Sequence, residues 1–521
     1  MKKLTTAYQD GSTPTIAIIG SGVSGLCVAI QLQRLLHITS YTIFELDTEI
    51  GGTWSANTYP GASCDETAHT YNYTFAPNFE WSRPYAPQSE ILEYLKATAR
   101  TYNLYDKIKF QTRVVNMRWD EDRQKWTLHW RNEATGVEGD YVVDIVYSCT
   151  GLLRIPSIPE EFRDFKGPMW HSAQWDASVD LKDKRVAVVG CSASGIQIIP
   201  NVGREASHMT VYARSMPYIL PWCNYRYSDA IKWAFRNVPL VHSLYTAFWY
   251  YAIDSNILLY YRLTWYSFIH RMIMYAVTWL YLFLSVRDKT LRKKMTPDYE
   301  IGSRRIVLTD DFFSTMQKPN VDLRTEKIVK VEGRSIELED GSKQEFDVAI
   351  LATGFGWVEN YPPDTWFGRG GVDVAKSWGE DPLTYFGTTA PASPNHFMIW
   401  GPNSGIGHNS LTAIIEAQVN YTMLALSSMM ENSLSVIEVK EEAAKAFLAL
   451  IDRRFENHIF TNCRRPKFLN SRGRCAGFWC GSCTEFWWHL RRFDLSIYNT
   501  EPRIGNAAEV KPVPNGELKE V

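Results

Sequence analysis

Three glycines spaced as Gly20-Ser-Gly22-Val-Ser-Gly25 follow the β-branched run Thr15-Ile-Ala-Ile-Ile19 and open a helical stretch, Leu26 to Leu36. A glycine-rich turn between a strand and a helix leaves unpaired N–H groups at the helix start, and these bind phosphate. Gly20 permits the tight turn, Gly22 lets backbone approach a pyrophosphate, and Gly25 lets the helix pack on the sheet. Glu45 ends the next strand, Tyr41 to Phe44, twenty residues after Gly25. A carboxylate there accepts both hydroxyls of a ribose. The same grammar recurs at Arg185-Val-Ala-Val-Val189, Gly190-Cys-Ser-Ala-Ser-Gly195, a helix from about Ile196, and the strand Met209 to Tyr212. Here Ser192 replaces the middle glycine and crowds the pyrophosphate, and Arg214 and Ser215 follow in place of an acid. A guanidinium at that position pairs with a 2′-phosphate, so NADP is expected over NAD, unless Arg214 is simply a surface arginine.

Two nucleotide-binding units need a chain of this size: 521 residues suggest two to four domains, each with a full core. Further strand-like runs stand at Lys125 to Trp130, Val142 to Cys149 and Asp347 to Ala352. Between the second unit and Thr296 the character changes. Tyr245 to Phe283 holds fourteen aromatics in 39 residues, with Asp254, Arg262 and Arg271 as its charges. Its uncharged stretches, Val238 to Ile253 and Met272 to Val286, are shorter than the roughly 18–20 apolar residues that span a bilayer. The expectation is a helical insertion packed on the body of the protein. The sharper alternative is a membrane-surface helix pair across 245–294, with Arg287, Lys289, Arg292, Lys293 and Lys294 meeting headgroups.

The balance of charge excludes one class of partner. A net charge of −2 and pI ≈ 6.6 give no field to attract nucleic acid. Nine scattered cysteines do not form a disulfide framework and suit reduced thiols. The basic start lacks the apolar core of a secretory signal, so the expected location is cytoplasmic, with peripheral contact to an intracellular membrane under the sharper alternative. Cys463, Cys475, Cys480 and Cys483 have no standard zinc spacing, and no metal is expected.

Between the two units lies Phe165-Lys-Gly167-Pro-Met-Trp-His171-Ser-Ala-Gln-Trp175-Asp176. It fits the pattern FxGxxxHxxxW[PD] and resembles the fingerprint of type I Baeyer-Villiger monooxygenases. Further matches are Gly51-Gly-Thr-Trp54, Tyr59-Pro-Gly-Ala-Ser-Cys-Asp65, Trp81-Ser-Arg-Pro-Tyr-Ala-Pro-Gln88, Cys149-Thr-Gly151, Ala352-Thr-Gly-Phe355, Gly401 to Ser410 and Glu485-Phe-Trp-Trp488. The resemblance covers nearly the whole chain and is greatest to the fungal branch that oxidises multi-ring natural products.

The resemblance implies an α/β fold with two Rossmann-like domains. Residues 1–157 and 340–521 would form a split FAD domain, and 158–339 an NADP domain with a helical insertion at about 222–296. It implies FAD, NADPH, O2 and a small-molecule ketone, with oxygen inserted beside the carbonyl to give an ester or lactone. Negative charge then develops on oxygen, so the site needs a fixed cation. The family's Arg and Asp map to Arg305 and Asp65, with Arg304 as the competing assignment. His171 maps to a linker residue that positions NADP, its alternative being a satisfied hinge histidine. Besides Gly20, Gly22, Gly25 and Glu45, the FAD contacts carried over are Thr53, Trp54, Ser55, Ala56, Ser63, Asp65, Tyr71 and Val114. Those for NADP are Gly190, Ser192, Ala193, Ser194, Gly195, Gln197, Arg214 and Ser215. Gly405 and Gly407 precede a helical run, Leu411 to Tyr421, whose positive end would face the flavin. Where relatives carry a Trp-Tyr pair this chain has Cys463-Arg-Arg-Pro466-Lys467, an altered pocket wall. The rivals are an N- or S-oxygenating monooxygenase, which needs no Arg–Asp pair, and a degenerate flavoprotein kept for binding or membrane association.

Overall fold

Short runs of β-branched residues, apolar on both faces, form strands only where helices cover both sides of the sheet. Ile16–Ile19 is such a run, and it occupies the centre of a five-stranded parallel sheet. Tyr41–Phe44 and Ile145–Ser148 flank it, with Ile108–Lys109 and His396–Met398 at the edges. The helix Val23–Leu36 covers one face and packs along the buried helix Leu411–Glu431. The second unit repeats the plan around Arg185–Val189, flanked by His208–Tyr212 and Val348–Leu351, with Val321–Arg324 and Met169–His171 outside them, all parallel. Each unit also carries an antiparallel meander, Thr112–Asp120 to Val143 in the first and Ile328–Glu332 to Glu345 in the second. The computed structural model describes residues 4–261, 264–356, 361–461, 463 and 468–503.

The chain crosses between the units twice, and the two crossings pair with each other as antiparallel strands Ile155–Pro156 and Phe355–Gly356. Val348–Leu351 lies in the second sheet, so the expected return to the first domain at 340 comes too early; it follows this strand. The run Val142 to Cys149 is two strands rather than one. It breaks at Asp144, whose carboxylate accepts the N–H and hydroxyl of Thr15 at 2.7 and 2.6 Å and pairs with Lys125, turning the chain from meander to central sheet.

The aromatic segment is helical: Asp229–Asn237, Val241–Asp254 and Trp265–Ser285, then the basic helix Lys289–Met295. Trp265–Ser285, at 21 residues, is long and apolar enough to cross a membrane, where the uncharged runs in the sequence are too short. The helix extends through Arg271, whose guanidinium turns inward to donate to the Tyr261 carbonyl at 2.8 Å. Arg262 lies outside the described residues.

Three buried histidines make acid the chain's weak side. His69 sits against His242, His396 lies between Ser148 and Ser393, and His458 stacks on Tyr260. Burial pushes each ring from its usual 6.5 down to about 3. The unfolded chain therefore binds more protons than the native one below pH 6.5, and stability falls as pH falls. Glu66, which burial raises to about 7, works in the opposite direction between pH 7 and 4.5. His171 shifts the same way and Glu416 the way of Glu66, so the histidines outweigh the acids and stability falls between pH 6 and 5. Urea unfolding curves at pH 7, 6 and 5 check this; a flat profile would contradict it.

Candidate active site

Backbone contacts at the two glycine turns leave no room for side chains. Gly20, at φ +101°, lies under the Cys149 carbonyl, where a Cβ would come within 2.6 Å of the oxygen. A Cβ on Gly25 would sit 1.9 Å from the Gly20 oxygen. The second turn repeats both contacts: a Cβ on Gly190 meets the Ala352 oxygen at 2.3 Å, and one on Gly195 meets the Gly190 oxygen at 2.3 Å. Each helix start is thereby pressed onto the end of its central strand, with its free N–H groups facing outward.

A cavity of about 640 Å³ opens from the first turn, a size suited to a cofactor. Gly20, Gly22, Glu45, Thr53, Trp54, Ala56, Tyr71 and Val114 line it. Gly25 and Ser55 lie beside it within their turns, and Ser63 faces a different cavity. The buried Glu45 carboxylate is fixed by Ser21, whose N–H and hydroxyl donate at 2.7 and 2.6 Å, and by the Asp47 N–H at 2.9 Å. Trp54 donates from its indole to the Tyr71 hydroxyl at 2.9 Å. Trp400, also on the wall, has a buried indole N–H with no partner. A pyrophosphate at the turn, a ribose at Glu45 and a flavin at the aromatic end fit this lining, and the orphan indole supplies a donor for a ring carbonyl.

At the aromatic end, residues 240 apart in sequence meet: Arg305 Nη2 donates to Asp65 Oδ1 at 2.6 Å and lies 3.9 Å from Glu66 Oε1. Arg305 is exposed, its side chain keeping 43% of its surface open, and neither it nor Asp65 is in the wall of the large cavity itself. The Asp65 carboxylate beside it raises its pKa and holds the cation charged. Arg304 points elsewhere, donating to the Ser215 hydroxyl at 2.6 Å and stacking on Tyr299. Glu66 was not legible as a site residue. Its Oε2 accepts the N–H of Leu411, the first residue of the helix Leu411–Glu431, at 3.2 Å. Only its place directly after Asp65 could have drawn attention to it. Leu411 and Ile415 line the large cavity, so Glu66 links the Arg305 cluster to the cavity's wall.

Around the second turn the expected residues separate. Ser192 is the exposed residue before the helix Ala193–Glu205 and makes no side-chain cap, leaving that helix start open, with Ala193 and Ser194 half-buried in its first turn. Gln197 faces sideways instead. It accepts from the Tyr59 hydroxyl at 2.9 Å and donates to the Ser63 carbonyl at 3.0 Å, clasping the first unit's loop to the second unit. These residues line a second cavity of about 420 Å³ with Arg83, Asn201, Arg204 and Trp222. Arg214 is exposed beyond the strand His208–Tyr212, while Ser215 is taken by Arg304. His171 is fully buried at the end of its strand, edge-on to Phe355 at 5.2 Å, beside the double crossing. Burial lowers its pKa, so the ring is neutral near pH 7, and its Nε2 is unpartnered.

Among the described residues no three of Cys463, Cys475, Cys480 and Cys483 come together at metal-binding distance. Among the described residues the one set with donor atoms near enough for a metal is Asp254, His408 and Cys483. There the Asp254 oxygens already accept from Cys483 N–H, Thr484 N–H and hydroxyl, and Asn409. Of the altered wall after Cys463, residues 464–467 lie outside the described residues.

Residues 13–363 match the family model described as flavin-binding monooxygenase-like. A Baeyer-Villiger monooxygenase of Pseudomonas aeruginosa is 34% identical over 93% of this chain and 91% of its own. An FAD-binding monooxygenase of Aspergillus niger is 31% identical over 88% of this chain and 77% of its own. The crystal structure of cyclohexanone monooxygenase from Rhodococcus sp. Phi1 bound to NADP+ superposes with a TM-score of 0.80 at 22% identity, covering 94% of this chain and 99% of that one.

Proposed function

The chain belongs to the flavin-binding monooxygenase-like family, and we propose that within it Arg305 and Asp65 direct oxygen into a bulky, apolar, multi-ring ketone. The protein is an FAD-dependent monooxygenase that consumes NADPH and O2 and inserts one oxygen atom beside a ketone carbonyl, giving an ester or lactone. When bound, FAD reduced by NADPH supplies the activated oxygen. What the chain itself provides is charge in a fixed place.

The observation that carries the reading is the Arg305–Asp65 bond of 2.6 Å beside the cavity. As the carbonyl carbon becomes tetrahedral its oxygen gains negative charge, and a guanidinium already fixed there needs no reorganisation to meet it. Asp65 holds that guanidinium and keeps it paired when the site is empty. The start of Leu411–Glu431 adds partial positive charge at the cavity's wall, which favours an anionic ring system. A multi-ring substrate is supported by the aromatic insertion, which brings Tyr260 beside Arg305. Incubation with a panel of cyclic and polycyclic ketones under ¹⁸O2 tests both parts. One labelled oxygen in a lactone, with turnover rising toward the larger ketones, is the expected result. Labelled N- or S-oxides without any lactone would overturn it.

Cofactor choice gives a separate expectation. Arg214 stands exposed after the second strand, where an NAD-selective site carries an acid. Steady-state rates should favour NADPH over NADH, and Arg214→Ala should narrow the gap about tenfold, chiefly through KM. Equal KM values in the unmodified enzyme would remove Arg214 from this role.

A further inference from the structure

We propose that the enzyme docks on an anionic bilayer surface through the outer face of its helical insertion and takes apolar substrate from that layer. The last part rests on the ketone reading above; the docking does not. Of 27 exposed large apolar side chains among the described residues, nineteen lie between Tyr225 and Leu284. The helix Trp265–Ser285 is amphipathic in the inverted sense. Its inward positions mix Ser267, Arg271 and Thr278 with Leu282, whereas each exposed position from Trp265 to Leu284 is apolar. Trp265 is 73% exposed, Trp279 59% and Leu284 70%. Together these side chains present roughly 1,000 Å² of apolar surface, where a soluble monomer leaves a few hundred in one patch.

The geometry excludes a helix standing across the bilayer. Arg271 is bonded to the Tyr261 carbonyl near one end, the Tyr275 hydroxyl accepts the Ile301 N–H at 3.0 Å, and Tyr281 donates to the Thr309 carbonyl at 2.8 Å near the other. The helix is thus fastened along its length and lies flat, which is the posture of an interfacial helix rich in Trp and Tyr. Charge selects the partner. Arg287, Lys289, Arg292, Lys293 and Lys294 follow at once, and Asp288, the acid among them, is spent capping Leu291. Arg292 donates to the Val286 carbonyl and stacks on the Phe283 ring at 4.6 Å, which joins the basic stretch to the apolar face. Apolar surface edged by cations fits lipid with anionic headgroups better than it fits a second copy of the same face, since two basic edges repel. On its inner side the insertion brings Tyr260 against Gly407 and beside Arg305.

Flotation of the FAD-loaded full chain with phosphatidylcholine vesicles, with and without 30% phosphatidylserine, tests the docking. At least tenfold enrichment on the anionic vesicles is expected, weakened but not abolished by 0.5 M salt. The double substitution Trp279→Glu and Phe283→Glu should abolish it, and Lys293→Glu with Lys294→Glu should remove the preference for anionic lipid. Both variants should retain unmodified turnover of a water-soluble cyclic ketone, which separates a folding failure from a docking failure. Protein that stays in the soluble fraction with both vesicles would overturn the proposal. So would a concentration-dependent dimer, lost in the Glu variant, without vesicle binding. If vesicles bind but no ketone is oxidised, the docking stands and the ketone reading falls.

Discussion

Arg305→Ala is expected to lower lactone formation about 10³-fold while NADPH oxidation continues, the reducing equivalents appearing as hydrogen peroxide. Removing one preorganised donor from a developing oxyanion costs roughly 10²–10³ in rate, and Arg305 is a full charge rather than a single neutral donor. The cation is placed by sequence-distant partners: Asp65 at 2.6 Å and Glu66 at 3.9 Å. In the alanine variant these two carboxyls face each other without a counter-charge, and Glu66, which Arg305 now holds down, rises further. The substrate oxygen would then meet negative charge where it needs positive. Arg305→Lys should recover only part of the rate, because an ammonium cannot keep the planar guanidinium contact with Asp65 while facing the carbonyl. Lactone by mass spectrometry, set against NADPH consumption and peroxide release, reads the split. Lactone at the unmodified rate from the alanine variant would take Arg305 out of the mechanism.

Both glycine turns, their strands and the acid after the first were readable because part of what fixes each, such as Glu45 against Ser21, lies within some thirty residues. Gly25 against Gly20, and Gly195 against Gly190, are local backbone collisions that any sequence of this kind must satisfy. What lay deeper came from pairings that spacing does not encode. Val348–Leu351 looks the same in sequence whichever sheet it joins, and its parallel register with Val186–Val189 depends on more than 150 residues of intervening chain. Arg305 and Asp65 were placed together by family resemblance rather than by periodicity, and the structure separates Arg305 from Arg304 through partners in different loops. Glu66 escaped because a lone acid beside a catalytic candidate reads as solvated until the fold buries it under a helix start. The insertion was legible as aromatic and basic, but its inverted amphipathicity was not. Arg271 reads as a break in an apolar run, whereas inside the fold it marks the protein-facing side.

The largest stability effect is expected at Asp254, the last residue of the insertion helix Val241–Asp254. In the sequence it is a charge interrupting an apolar segment; in the fold it is a buried carboxylate surrounded by donors. Cys483 N–H and Asn409 donate to one oxygen at 2.9 Å each, Thr484 donates its N–H and hydroxyl to the other, and His408 Nε2 lies 3.4 Å away. Burial opposes the charge, but these bonds win and hold the acid down to about 2. Because that value lies below its usual 3.8, the stabilisation is present above pH 3.8 and is lost as pH falls through 2. One side chain thus caps the helix Cys483–Leu490, orders the loop leading to Leu411 and ties both to the insertion. Asp254→Ala leaves several buried donors unpaired and should cost roughly 3–5 kcal/mol in urea unfolding at pH 7. Asp254→Asn retains one acceptor and should cost about half as much. Chelators should change neither curve, because the carboxylate is spent on N–H and O–H donors. A loss below 1 kcal/mol for the alanine variant would show that these donors find other partners without Asp254, and a chelator-sensitive unmodified protein would show that the groups hold a metal ion instead.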